Sequence, residues 1–445
     1  FFVRGPSPGP VAACLLLMTA AVQNDPIRHH LETVRAQLAK GELREAALTL
    51  NEAQKILPGD ARVFMMAGLM AEKSGNVKGA LEMLRKSVAT APGWGPGLLE
   101  LALLLARQNQ FAEAIEKAQE VARLEPGNLL VLAGVVDIAH RAGHTEMAVQ
   151  HLRRGLELVP GDVQLRRLLA RDLDTLGQHA GALDIWGGLI AQDAHDKEAL
   201  AGRVRTFIAM GAATQAAADT AVLMELLPGD AVVAYYDALA RGETPPHQPV
   251  ELNRALFDGM AEIYDQHIVR GLGYRLPKIV ADRILERYPD KHLNVLDLGC
   301  GTGLLGVCLG RLDGFLIGVE ISQKMIDQAA RHKVYDRFHT VDINDALAAT
   351  PAAQYEVLAA LDVFIYSGDL ASAVQDAHRI LQPAGDFWFS CEIAPEEGQD
   401  LVLQPSGRYA HKRSHVARLC REAGFEGVEI EALELRREAG VPVQG

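Results

Sequence analysis

Two rhythms of apolar and polar positions divide the 445-residue chain. From about residue 27 to 240, alanine and leucine recur at helical spacing, which predicts a run of amphipathic helices. From about residue 274 onward, short apolar runs at 294–298, 315–319, 357–366 and 386–391 read as strands. Helical stretches at 277–288, 303–312, 322–331 and 370–382 lie between them. Strands alternating with helices predict a doubly wound, mainly parallel sheet covered on both faces. Ligands bind at the carboxyl ends of such strands, near the switch in strand order.

The first rhythm is a repeat. Pro58, Pro92, Pro126 and Pro160 are 34 residues apart, and Pro228 lies two periods on. Ala46, Ala80, Ala114, Ala148, Ala182 and Ala216 keep the same period, as do Gly41, Gly75, Gly143, Gly177 and Gly211, with Asn109 in the remaining place. Each position has a physical reason. Glycine or asparagine suits a left-handed turn after the first helix. Alanine lets the paired helices approach closely, and proline stops the second helix. The 34-residue period resembles the tetratricopeptide repeat. That resemblance implies an all-α solenoid over 27–240, with 231–240 as a capping helix, whose curved face binds a protein or peptide or serves assembly. The proline-rich stretch Arg241–Val250 ends the helical period, so a linker is placed at 241–252 and the α/β domain at 253–445.

Candidate chemistry concentrates at 294–306, N-V-L-D-L-G-C-G-T-G-L-L-G. A strand, a glycine turn and a helix open a nucleotide-binding α/β unit. Gly301, Gly303 and Gly306 fit the dinucleotide pattern G-x-G-x-x-G, with Glu320 downstream, so a nicotinamide-dependent oxidoreductase is one reading. Asp297 favours another, because a carboxylate before the glycines repels pyrophosphate and suits an amino-bearing ligand. The string resembles motif I of class I S-adenosylmethionine-dependent methyltransferases, whose domain is Rossmann-like. The resemblance implies S-adenosyl-L-methionine as cofactor, held by Asp297, Gly299, Cys300, Gly301, Thr302 and Gly303. It implies further that Glu320, followed by Ile321, accepts from the ribose hydroxyls, with Met325 under the adenine. Asp342 and Ile343 would meet the adenine, with Asp345 as an alternative acceptor. Asp362, after the run Tyr355–Leu361, ends the strand where methionine and acceptor meet.

Two further segments bear on the acceptor. Residues 256–268 form one amphipathic pattern, with Leu256, Met260, Ile263, Tyr264 and Ile268 on a common face. Within it, F-D-G-M-A-E-I-Y-D-Q-H resembles the segment ahead of motif I in a branch that includes bacterial methyltransferases with a fused tetratricopeptide array. The likeness implies a lid over the cofactor, with Tyr264 lining the pocket. Near the end, Arg408, Tyr409 and His411 are read as a polar loop, with His411 a candidate general base. No N-P-P-(Y/F) string is present, which weighs against a DNA-adenine or release-factor acceptor.

Composition narrows the field. A net charge of −13 argues against general nucleic-acid or anionic-membrane binding. Cys14, Cys300, Cys308, Cys391 and Cys420 form no C-x-x-C pair, so no metal site is expected and reduced thiols in a cytoplasmic protein are the plain reading. Residues 1–26 read as an extension or a weak signal-like segment, and no run reaches the about 18 apolar residues of a membrane span. Together these expectations describe methyl transfer to a protein, carrier-bound or small-molecule acceptor. A scaffold with an inert cofactor-binding domain is the rival from another class.

Overall fold

The computed structural model describes residues 25–404, 406–438 and 441–445. Cys14 and the extension up to residue 24 lie outside the described residues. Asp25, assigned to the extension by its sequence, ion-pairs with Arg62 of the helical region, and Ile27 is fully buried. The described chain forms two compact units, divided between Thr206 and Phe207.

The N-terminal unit is built from helical hairpins: Arg28–Lys40 with Leu43–Ile56, Ala61–Lys73 with Val77–Thr90, Gly95–Arg107 with Phe111–Leu124, Leu129–Arg141 with Thr145–Leu158, and Val163–Thr175 with His179–Gln192. Lys197–Ala209 follows, and the division falls within it. Every 34-residue signal has its expected place. Gly41, Gly75, Asn109, Gly143 and Gly177 all have φ between 58° and 81°, the left-handed turn that closes the first helix of each pair. Ala46, Ala80, Ala114, Ala148 and Ala182 expose no surface, because each sits where two helices come closest. Trp186 is also fully buried. It lies against the backbone of Gly202, where a Cβ would come within 2.6 Å of the indole.

The C-terminal unit begins with Ala217–Leu226 and Ala231–Ala240, the helices that the repeat period had counted with the array. Tyr235 and Tyr236 are buried here, and Tyr235 hydrogen-bonds Tyr409. The proline-rich segment expected to be a linker is stitched to this unit through its backbone. Pro246 O accepts from Gly368 N (2.7 Å) and Asp369 N (2.9 Å), and Gln248 N donates to Tyr366 O (3.0 Å).

The central sheet has five parallel strands: β1 Val295–Leu298, β2 Leu316–Val319, β3 Arg337–His339, β4 Tyr355–Ala360 and β5 Leu381–Phe389. They lie in the order β3-β2-β1-β4-β5, so the order reverses at β1. One apolar face packs Leu296, Leu298, Leu358 and Ala360; the other packs Val295, Val357 and Ala359. Alternate residues thus enter opposite cores, as strands buried on both sides require.

Several expectations are corrected. β3 carries only Phe338 as an apolar residue and lies at the sheet edge, so its sequence gives no strand pattern. The apolar run 357–366 is not one strand. β4 stops at Ala360, and Phe364–Tyr366 is a 3₁₀ turn. The ladder ends because Asp362 adopts φ +58° and donates its N–H to Ser390 Oγ (2.8 Å). β5 starts at Leu381 rather than 386, with a register break that loops out the residues around Pro383. The single amphipathic helix expected over 256–268 is broken: Val250–Met260 is α-helical, a turn follows, and Gln266–Gly271 is a π-helical segment. Leu256 and Ile263 are exposed, so the predicted apolar face is not continuous.

The fit of Trp186 on Gly202 generates a direct test. Gly202→Ala should destabilise the array by roughly 1–3 kcal/mol through overpacking, whereas Gly188→Ala, whose Cβ meets nothing within 4 Å, should be neutral or slightly stabilising. Thermal unfolding of the two variants measures the contrast.

Candidate functional site: the glycine turn and its carboxylates

The chain turns at Gly299, Gly301 and Gly303 with φ of 67°, 53° and 85°. Their surroundings differ. A Cβ on Gly299 would lie 2.4 Å from Val363, and one on Gly303 would press on Tyr335 and Ala329 at 3.0–3.1 Å. One on Gly301 would meet nothing within 4 Å. The outer glycines therefore serve packing, while the middle one presents bare backbone to open space.

Glu320 follows β2 and lies beside this turn. Its Oε2 accepts from Gly301 N (3.0 Å) and its Oε1 from Ser322 N (2.9 Å). Burial pushes its pKa above the ordinary value, against those backbone donors. Ser322 caps the next helix through Met325 N (3.2 Å), and Met325 is fully buried. Asp297, in β1, is 3% exposed. Burial pushes its carboxyl up to about 7, opposed by a hydrogen bond from Tyr335 and reinforced by the charge of Glu320. Tyr335 OH donates to Asp297 Oδ2 (2.6 Å) and accepts from Gly306 N (3.2 Å). Gly306 is needed because the Tyr335 ring occupies the space of a Cβ. Cys300 and Thr302 are buried within the turn. Asp342 caps the helix Ile343–Ala349 by accepting from Asn344 N (2.8 Å); it and Ile343 are half-buried, while Asp345 is exposed.

The segment 250–265 lies over this turn and is pinned to it at three points. Asp258 Oδ1 accepts from Ser322 Oγ (2.6 Å), Asp265 accepts from the Thr302 hydroxyl, and Arg254 Nε donates to Ile321 O (3.2 Å). Both aspartates belong to the F-D-x-x-A-x-x-Y-D string, which thus had a signal although neither residue was singled out. Tyr264 is half-buried, and burial raises its pKa, reinforced by Tyr366, Asp362, Glu320 and Asp265. Phe257 meets Tyr264 and Tyr366 edge-on, at 6.4 and 5.6 Å between ring centroids. Phe257 thus joins Tyr264 and Tyr366 in one aromatic group.

Tyr409 and His411 are not brought to the turn. They lie on a buried strand, Tyr409–His411, rather than in a polar loop. The strand forms because it pairs with Glu392–Ile393 on one side and Leu401–Leu403 on the other. Tyr409 OH donates to Pro245 O (2.8 Å), and His411 Nε2 lies 3.0 Å from Gly368 O. Burial lowers the His411 pKa, which holds the ring neutral against the chain rather than exposed as a base. Arg408 ion-pairs with Glu392 and Glu438. Arg436 and Tyr335, which complete the surroundings of Asp362 and Asp297, had no sequence signal, since neither lies in a motif.

Comparison with known proteins agrees with this geometry. A family described as "Methyltransferase domain" matches residues 289–404. The ubiquinone biosynthesis O-methyltransferase of Aromatoleum aromaticum is 26% identical over 153 residues, 31% of this chain and 65% of that protein. The enzyme of the same name from Thiobacillus denitrificans is 26% identical over 164 residues, 33% and 70% of the two chains. The chain thus spans about two thirds of the length of these relatives. Among solved structures, one titled "Functional Characterization of Pseudomonas Aeruginosa pilF" superposes with TM-score 0.38 and 17% identity, covering 49% of this chain and 97% of that one. The reversed strand order, the glycine turn and the matched family together give the C-terminal unit a methyltransferase domain, carried on one chain with helical hairpins that repeat every 34 residues.

Proposed function

We propose that this chain transfers a methyl group from S-adenosyl-L-methionine to an acceptor bearing a nucleophilic heteroatom. The observation that carries the reading is Gly301: bare left-handed backbone facing open space, with the buried Glu320 carboxylate fixed beside it. The cofactor supplies an activated methyl group when bound. Glu320 would hold its ribose, since an ionised acceptor forms strong hydrogen bonds with hydroxyl donors. Asp297 would hold its amino group, and Met325, Asp342 and Ile343 its adenine. The lid, pinned through Asp258 and Asp265, would exclude water and orient the acceptor.

The relatives act, by their name, as O-methyltransferases of ubiquinone biosynthesis, which supports oxygen as one acceptor atom. We further infer that the array recruits a protein or carrier-bound substrate, raising its local concentration near the site. A solenoid with a long side-chain surface and no chemistry of its own supports that reading. Among the described residues no helix is long and apolar enough to cross a membrane.

Two predictions test the cofactor assignment. Titration calorimetry should show binding of S-adenosylmethionine and no comparable binding of NAD. Gly301→Val should abolish it, because the side chain enters the open space and φ +53° resists a β-branched residue. Binding of NAD alone would return the oxidoreductase reading.

The second concerns pH. The folded pKa of Asp297 is raised to about 7 from 3.8, so its neutral form is the one the fold prefers. Its ionisation destabilises the folded state progressively as pH rises from about 4 to 7. Asp297→Asn should therefore melt higher than wild type at pH 8, by about 2–4 °C for each kcal/mol relieved, with the advantage gone near pH 4. It should also weaken cofactor binding at pH 8, where the wild-type carboxylate is ionised. An equal melting difference at pH 4 and pH 8 would refute the linkage.

A further inference from the structure

Asp362 combines three features that its packing alone does not require. It holds a left-handed backbone, φ +58°, without being glycine or asparagine; strain of this kind collects at functional sites. Its carboxylate is 9% exposed, with Oδ2 bound to Arg436 Nη1 (3.0 Å). Its Oδ1 is buried and has no hydrogen-bond partner among the described residues.

The neighbouring charges do not balance. Arg436 also pairs with Glu392 and with Glu438 Oε1 (2.7 Å). Arg408 pairs with the same two, at 2.9 and 2.6 Å. Gln404 Nε2 donates to the other oxygen of Glu392 (2.8 Å). Three carboxylates thus share two guanidinium groups, leaving one negative charge in excess. Both guanidinium groups are engaged by carboxylates, and the free acceptor atom of the cluster is Asp362 Oδ1. Burial raises the pKa values of Tyr264, Tyr274 and Tyr366, and the Asp362 charge raises them further. Burial raises the Asp362 pKa, against the pull of Arg436, toward the range useful to a general base. Tyr264 precedes the segment matched to the methyltransferase family, and Arg408, Arg436 and Glu438 follow it. This corner therefore joins residues inside that match, Asp362, Glu392 and Gln404, to residues outside it.

We propose that Asp362, positioned by Arg436, accepts the proton of the O–H or N–H group that is methylated. The proposal rests on the methyltransferase reading and moves Asp362 from the cofactor side of the site to the acceptor side. Asp362 Oδ1 takes the proton from the acceptor heteroatom as that atom bonds the methyl carbon and the methyl–sulfur electron pair returns to sulfur. One carboxylate charge and one sulfonium charge disappear together, which discharges the buried excess. The same excess disfavours anionic acceptors, so the substrate class is a neutral hydroxyl or amine. Arg436 is a positioning residue: it fixes Oδ2 and so leaves Oδ1 free.

The test needs no acceptor. Sinefungin carries an amine-bearing carbon where the cofactor carries its methylsulfonium, so its ammonium lies toward the acceptor. The full chain is titrated with sinefungin and with S-adenosylhomocysteine, and the ratio of affinities is the readout. Wild type should prefer sinefungin by about ten-fold or more, the scale of a hydrogen bond to a charged group. Asp362→Asn should bring the ratio close to one. Arg436→Met should do the same, and Arg436→Lys should keep most of the preference. In wild type the preference should also fall as pH drops through the ionisation of Asp362, an arm that holds even where a variant fails to fold. A ratio near one in wild type overturns the proposal, as does a preference that neither Asp362→Asn nor pH changes. Failure of wild type to bind either compound overturns the methyltransferase reading itself.

Discussion

Burying carboxylates at the end of a parallel sheet is the constraint on which the C-terminal unit depends. Asp297, Glu320 and Asp362 each lose most of their water, and an unpaired buried charge is expensive. Each is compensated differently. Glu320 takes two backbone N–H groups, Asp297 takes one phenol hydroxyl from Tyr335, and Asp362 takes a guanidinium from Arg436. The compensation is partial for all three, whose pKa values stay raised by burial. A site that leaves negative charge under-compensated is ready for a cationic ligand, and the sulfonium and amino groups of the proposed cofactor meet that description.

The same economy holds for the segment 250–265. Asp258 and Asp265 engage two hydroxyls, Ser322 at a helix cap and Thr302 within the glycine turn. The Asp265 bond to Thr302 couples the position of this segment to the shape of the turn. Tyr264 lies between Val250–Met260 and the π-helical Gln266–Gly271, where Phe257 meets its ring edge-on.

Charge is distributed unevenly along the chain. Residues 207–445 contain 21 Lys and Arg against 34 Asp and Glu, so this unit accounts for the whole net charge of −13. The remainder, residues 1–206, is balanced. The acidity noticed in the overall composition therefore belongs to the half that carries the candidate chemistry, where it weighs against polyanionic acceptors.

Much of the architecture was legible because it rests on local rules. Left-handed turns after the first helix need glycine or asparagine, and close helix contacts need alanine; both requirements recur every 34 residues and are visible without any coordinates. The glycine turn was legible for the same reason: Gly299, Gly301 and Gly303 answer to the backbone angles of a few consecutive residues. Other features depend on partners far along the chain. Whether the last repeat helices belong with the array or with the sheet is settled by long-range packing, with Tyr235 against Tyr409 on one side of it. β3 is a strand because β2 offers its edge, not because Arg337–His339 alternates. The sequence by itself determined the repeat, the glycine turn and the carboxylates at the strand ends. Only the tertiary structure decided that Tyr335 and Arg436 stand behind two of those carboxylates and that Tyr409 and His411 turn away, because a buried charge is answered by whatever donor the fold brings to it, at any distance in sequence.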